Sequence, residues 1–183
     1  MKDLFSQQAA AYARYRPVYP LGLYDHLAGL ITQRGMAWDC ATGNGQAAIE
    51  LARYFDMVFA SDISEKQLVH APPHDHITYF IAPANASGLP DHSIDLITVA
   101  QAYHWFDFTA FRQEVKRVAK PGALLAIWGY GLIQTGDAVL QTIIHDFYRL
   151  KTGPYWDAER KYVDDQYTTV PFPYAELPPC LLY

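Results

Sequence analysis

A chain of 183 residues, 51% hydrophobic and 15% aromatic, can bury one sizeable core, and its composition is that of a globular protein. Its net charge of −5, spread over interspersed residues, supplies no basic stripe for a nucleic-acid backbone, and no apolar run reaches membrane-spanning length. Cys40 and Cys180 fit no metal spacing and suggest a reducing compartment; the opening Met1–Gln8 lacks the apolar run of a secretion signal, so a cytoplasmic protein is expected.

Residues 4–16 read as a short helix, followed by an extended turn at Pro17 and Pro20. Leu23, Leu27, Leu30 and Ile31 then share one apolar helical face, and Gly35 stands where a C-terminal glycine belongs. Strands and helices alternate from there. The first strand is expected at Met36–Ala41, a helix at Gln46–Tyr54 and the second strand at Met57–Ile63. Ser64–Gln67 is a capping-box pattern for a short helix that Pro72 and Pro73 end. Ile77–Ala82 and Ile94–Ala100 are the third and fourth strands. Asp107 can cap a helix that faces inward with Phe108, Phe111, Val115 and Val118, stopped by Pro121 and Gly122. Ala123–Trp128 is the fifth strand, and a helix over about 137–150 would bury Leu140, Ile143, Ile144, Phe147 and Tyr148.

Short apolar runs alternating with amphipathic helices imply an α/β fold, a doubly wound, mostly parallel sheet with helices on both faces. The expected organisation is a single domain: a helical arm over 1–35, a core over 36–150, and a Pro- and aromatic-rich tail over 151–183 that shows no definite element. Ligands bind such sheets at the carboxyl ends of the strands, where strand order reverses. Gly43, Asp62, Asn85, Gln101 and Tyr130 all follow strands and should line that rim.

The stretch Ala37–Ala48, A-W-D-C-A-T-G-N-G-Q-A-A, dominates this pattern. An apolar strand carrying Asp39 turns through Gly43 and Gly45 into a helix, and Asp62 ends the next apolar run. Glycines permit close backbone approach, a helix start offers N–H groups, and an acid after the second strand can accept the hydroxyls of a ribose. Gly43–Ala48 also matches the dinucleotide fingerprint. Against that ligand, Asp39 lies on the strand itself, where a carboxylate would repel a pyrophosphate. S-adenosylmethionine carries a sulfonium and an ammonium and no phosphate, so one acid near its amino-acid end and one at its ribose suit it.

Four blocks in order carry a resemblance over roughly residues 4–130: F-S-Q-Q-A-A-A-Y-A-R-Y-R-P-V-Y-P, A-W-D-C-A-T-G-N-G-Q-A-A, L-P-D-H-S-I-D-L-I-T-V-A-Q-A-Y-H-W-F-D, and R-V-A-K-P-G-A-L-L-A-I-W. With them the chain resembles class I S-adenosylmethionine-dependent methyltransferases of the small-molecule type 11 branch, which includes trans-aconitate-methyltransferase-like proteins. The resemblance implies transfer of a methyl group to an oxygen or nitrogen of a small molecule, a carboxylate or hydroxyl before others. It makes Asp39, Ala41, Gly43 and Gly45 the wall for the methionine part, gives Asp62 the ribose, sets Asn85 near the adenine, and closes the pocket with Ala100 and Gln101. It also lays the N-terminal arm, with Tyr12, Tyr15 and Arg16, over the cofactor, and leaves His104 as a base for a hydroxyl acceptor. Two residues depart from the family's pattern: Ala41 replaces a usual glycine and Asn85 a usual glutamate. His70, His74, His76 and His92 share no ligand spacing, so no metal is expected.

The family sheet has seven strands, and five are evident here. The chain therefore reads as short at its C-terminus, with a free sheet edge that could pair two copies into a homodimer. The remaining readings are a protein that binds S-adenosylmethionine without turnover and, more distantly, an NAD-dependent oxidoreductase.

Overall fold

The computed structural model describes residues 17–180. In chain order these form α1 (Leu21–Gly29), β1 (Met36–Cys40), α2 (Gln46–Leu51), β2 (Met57–Asp62), α3 (Glu65–Leu68), β3 (Ile77–Ile81), β4 (Ile94–Ala100), α4 (Phe108–Val118), β5 (Ala119–Trp128), α5 (Ala138–Asp146) and α6 (Arg160–Asp164). A 3-10 turn, Tyr103–Trp105, follows β4, and a π-helical stretch, Phe147–Thr152, continues α5 into a second 3-10 turn, Gly153–Tyr155. The expected helix over 4–16 lies outside the described residues.

The strands form one sheet in the order β3-β2-β1-β4-β5, every pair parallel. This is the doubly wound architecture expected from the alternation. All seven residues of the interior strand β4 are buried, as a parallel sheet covered on both faces requires. Successive side chains alternate between the faces. On one face Ala37, Val58, Ala60 and Leu96 meet Ala48 and Leu51 of α2, with Tyr24 of α1 beside them. On the other, Trp38 packs against Phe111 of α4 with ring centroids 6.2 Å apart and donates its Nε1–H to Ser61 Oγ at 2.9 Å. The α4 N-terminus forms as its sequence indicates, because Asp107 Oδ1 accepts the N–H groups of Thr109 and Ala110 at 3.0 Å.

Several elements differ from expectation. Helix α1 stops at Gly29, so Leu30 lies beyond it and exposed; a weak helix former ends the element well before Gly35. Ser64 precedes α3 without a side-chain cap bond, and its own N–H goes to Asp62 Oδ1 at 2.8 Å. Pro121 and Gly122 do not separate helix from strand but lie inside β5. Ile94 pairs with Ala119 and Leu96 with Leu124, so the residues between form a bulge in which Pro121 has no N–H to place and Gly122 takes φ +80°.

The largest departure is α5. Leu140, Ile143 and Phe147 are exposed, and none of its residues is buried. A helical period marks a face as apolar without stating what covers it. The chain divides into two compact units: one runs to Trp128 and takes in the segment from Leu177, and the other is Gly129–Glu176. In this second unit Arg160 lies over the Trp156 ring at 4.9 Å and donates to Tyr148 Oη at 2.8 Å, while Tyr148 donates to Asp164 at 2.6 Å. Among the described residues no helix is long and apolar enough to cross a membrane, and no cluster of His, Cys, Asp or Glu could hold a metal ion.

Candidate functional site

The sheet order reverses direction at β1, whose neighbours are β2 on one side and β4 on the other. A crevice opens beyond the carboxyl ends of β1 and β4 at such a point. The residue that leaves each strand there is left-handed: Ala41 after β1 has φ +58° and Gln101 after β4 has φ +55°. A side chain in that region costs roughly 1 kcal/mol, and such strain gathers where a loop must turn sharply around a ligand.

The loop between β1 and α2 is closed by hydrogen bonds to β2 and within itself. Thr42 donates its N–H to Ser61 O at 2.9 Å, Gly43 donates to Asp62 Oδ2 at 2.9 Å, and Gly45 donates to Thr42 O at 3.1 Å. Asp62 is only 9% exposed, and its other oxygen takes the Ser64 N–H. Asp39 is 1% exposed and accepts the hydroxyls of Thr42 at 2.5 Å and of Thr98, across the strand pair, at 2.7 Å. The acid, the glycines and the second acid are thus one bonded constellation. Gly45 is obligatory within it: its φ is +81°, and a Cβ would stand 2.6 Å from Tyr79 Oη.

Two buried carboxylates, Asp39 and Asp62, set the electrostatics of the crevice. Burial pushes the Cys40 thiol well up, and Asp39 and then Asp62 push it further. Burial, and after it the charge of Asp39, raises the Tyr79 hydroxyl to about 12. Several buried polar atoms close to this loop have no protein partner, namely Asn44 Oδ1, Gln46 Oε1 and Tyr79 Oη. Such atoms are costly unless something else satisfies them.

Residues 38–127 match a methyltransferase domain family, Methyltransf_11. A solved structure from Anaeromyxobacter dehalogenans, carried under the name of a type II methyltransferase, has a TM-score of 0.81 at 41% identity and covers 89% of this chain and 69% of that one. The chain belongs to the class I S-adenosylmethionine-dependent methyltransferases. A Dictyostelium discoideum relative bearing a methyltransferase name is 36% identical over 171 residues, covering 92% of this chain and 65% of the relative. An uncharacterised methyltransferase of Mycobacterium tuberculosis is 32% identical over 124 residues, covering 67% of this chain and 50% of that protein. The chain therefore spans between half and two-thirds of the length of these curated relatives.

Within this chain, the structure brings together the residues read as the methionine wall and the ribose acid: Asp39, Ala41, Gly43, Gly45 and Asp62. Ala100 and Gln101 stand at the end of β4, with the Gln101 N–H bonded to Trp128 O at 2.9 Å. Asn85 is exposed on the loop after β3, whose first residue, Ala82, donates to Asp62 O at 3.1 Å. His104 is buried in the turn beyond β4 and meets the Trp105 ring at a tilt of 47° with centroids 4.8 Å apart. Tyr130 belongs to the second unit. Tyr12, Tyr15 and Arg16 lie outside the described residues.

Thr42, Thr98 and Tyr79 are site residues that sequence reasoning missed. Thr98 left a signal, since it is a hydroxyl in the middle of a buried, mostly apolar strand, and such a group needs a partner. Tyr79 left none, because its reach over the small Ala60 to Gly45 depends on the pairing of β2 with β3.

Proposed function

We propose that this chain binds S-adenosylmethionine in the crevice between β1 and β4 and transfers its methyl group to an oxygen of a small molecule, a carboxylate or a hydroxyl. The observation that carries the cofactor reading is the use already made of the glycine N–H groups. Gly43 gives its proton to Asp62 and Gly45 to Thr42 O, so neither is left for the phosphate that a dinucleotide would bring. Two carboxylates at the same place favour a cation. The buried oxygens of Asn44 and Gln46 accept protons, and the Tyr79 hydroxyl can donate one, which fits the ammonium and carboxylate of an amino acid.

In this reading Asp62, whose carboxylate accepts the Gly43 and Ser64 N–H groups, takes the ribose hydroxyls. Gly43 and Gly45 let the ligand approach the backbone, while Asn85 is positioned for the adenine edge. Asp39 anchors the loop through its two threonines and contributes its charge from below. S-adenosylmethionine supplies, when bound, a methyl group already activated on a sulfonium, so alignment in a dry pocket is the protein's main task. A carboxylate acceptor needs no base. A hydroxyl acceptor gives its proton to a ring nitrogen of His104. The preference for small acids rests on the type 11 resemblance, which is analogy at family level.

Titration with S-adenosylmethionine, S-adenosylhomocysteine and NAD tests this reading. Micromolar binding of the first two, lost in Asp62→Ala, is the expected result; binding of NAD alone overturns it. Binding without turnover of any small acid or alcohol favours a protein that keeps the cofactor and has lost the reaction. The free cysteines, Cys40 and Cys180, support a reducing, cytoplasmic setting. Strand β5, bonded to β4 alone in the described sheet, supports edge pairing into a homodimer, and a monomer by light scattering rejects that pairing.

A further inference from the structure

The Proposed function leaves unused an ion pair on α4, outside the glycine loop, in which a buried carboxylate, Glu114, meets the partly exposed Arg117. Glu114 is 6% exposed, and a carboxylate so placed requires several partners. It has them. Its Oε1 accepts the N–H of Ser87 at 2.7 Å, the Ser87 hydroxyl at 2.5 Å and Arg117 Nη2 at 2.6 Å, and its Oε2 accepts Arg117 Nε at 2.9 Å. Arg117 reaches on with Nη1 to Leu89 O at 2.7 Å and to Asp91 at 2.6 Å. Ser87 Oγ in turn accepts the Leu89 N–H at 3.2 Å.

All of these bonds converge on one short segment, Ser87–Asp91, and that segment ends the loop that begins at Ala82. The start of the loop is fixed as well, since Ala82 donates to the backbone oxygen of Asp62. Between the two fixed points lies a single turn, Ala86 N–H to Pro83 O, with the Asn85 side chain exposed on it. A loop with one end free samples many conformations, whereas one pinned at both ends presents its middle residue in few.

We propose that Glu114 and Arg117 are positioning residues for cofactor recognition: by clamping Ser87–Asp91 to α4 they hold Asn85 in place against the adenine edge. The proposal rests on the S-adenosylmethionine reading above. It assigns the pair no contact with the ligand and a specific effect on base recognition.

The test uses the whole chain and two ligands, S-adenosylhomocysteine and S-inosylhomocysteine, whose base carries an oxygen in place of the 6-amino group. Glu114→Gln and Ser87→Ala each release part of the clamp. Lys120→Ala breaks the Lys120–Asp95 ion pair at the amino ends of β4 and β5, outside the Ser87–Asp91 segment, and serves as the control for mere loss of stability. The wild type is expected to prefer the adenosyl ligand by about tenfold, and the two clamp variants to lose about tenfold in affinity and most of that preference, while Lys120→Ala keeps both. In addition, the Ser87 amide should exchange its hydrogen faster in Glu114→Gln without any ligand. A folded Glu114→Gln that keeps both affinity and preference overturns the proposal and leaves the cofactor reading intact. Should Glu114→Gln not fold, Ser87→Ala, which removes only a hydroxyl, decides by the same criterion. A wild-type chain that binds neither ligand rejects the cofactor reading, and the clamp's recognition role with it, whatever the exchange data show.

Discussion

Ala41 carries a methyl group at φ +58°, where a glycine would sit without strain. Ala41→Gly should therefore stabilise the chain by about 1 kcal/mol, less the entropy that glycine adds to the unfolded state. A urea midpoint shifted upward is the expected result, and a downward shift would show that the Ala41 methyl makes contacts worth more than its strain. The sequence shows the substitution at this position but not its cost, because φ depends on how the loop leaves β1. Asp39 teaches a related lesson. Its place on the strand was legible, yet its carboxylate faces two threonine hydroxyls, and only the β1–β4 register, which sets Asp39 opposite Thr98, brings one of them within reach.

At the scale of elements, the tie between α4 and the segment after β3 governs the acid side of stability. Hydrogen bonding from Arg117, helped by Ser87 and opposed by burial, holds the Glu114 carboxyl from its ordinary 4.5 down to about 2. The folded value lies below the unfolded one, so the contribution is complete above about pH 4.5 and disappears as pH falls toward 2. Its size is on the order of 3 kcal/mol. Urea unfolding of the wild type should lose stability across that window, and Glu114→Gln should flatten the slope there; identical slopes would remove Glu114 from the account. Elements were most legible where one local rule governs them. Asp107 caps α4 as its spacing says, because a cap is decided within four residues. The bulge at Pro121 and Gly122 was read as a stop, since the same residues serve both purposes and only the pairing of Ala119 with Ile94 tells them apart. The Ser64 pattern gave a helix start without the side-chain bond, because Asp62 competes for that turn.

For the whole molecule, amphipathic period predicts a face, and burial decides its worth. Phe111, 0% exposed between Trp38 and Tyr103, should cost about 3–5 kcal/mol when cut to alanine, whereas Phe147, 62% exposed, should cost under about 0.5. Thermal unfolding of the pair of variants measures the contrast, and comparable losses would mean that Phe147 is covered in solution. The parallel sheet and its crevice were legible because each strand is a mostly apolar run between turn signals. The exposed face of α5 was not, since its apolar residues follow the same rule as those of α4.

The pairing of β1 with β4 has a consequence for how the molecule comes into being. Strands β1, β2 and β3 follow one another in sequence and in space, but Asp39 and Thr98 must close a loop of 59 residues to meet. Closure over that distance is slow relative to the neighbouring pairings. The crevice therefore exists only once this longest-range pairing of the sheet has formed, and a sheet without it has nothing to offer a ligand. Ligand then acts as a brake on unfolding rather than a guide to folding, and the chain reaches its native topology before it can recognise anything.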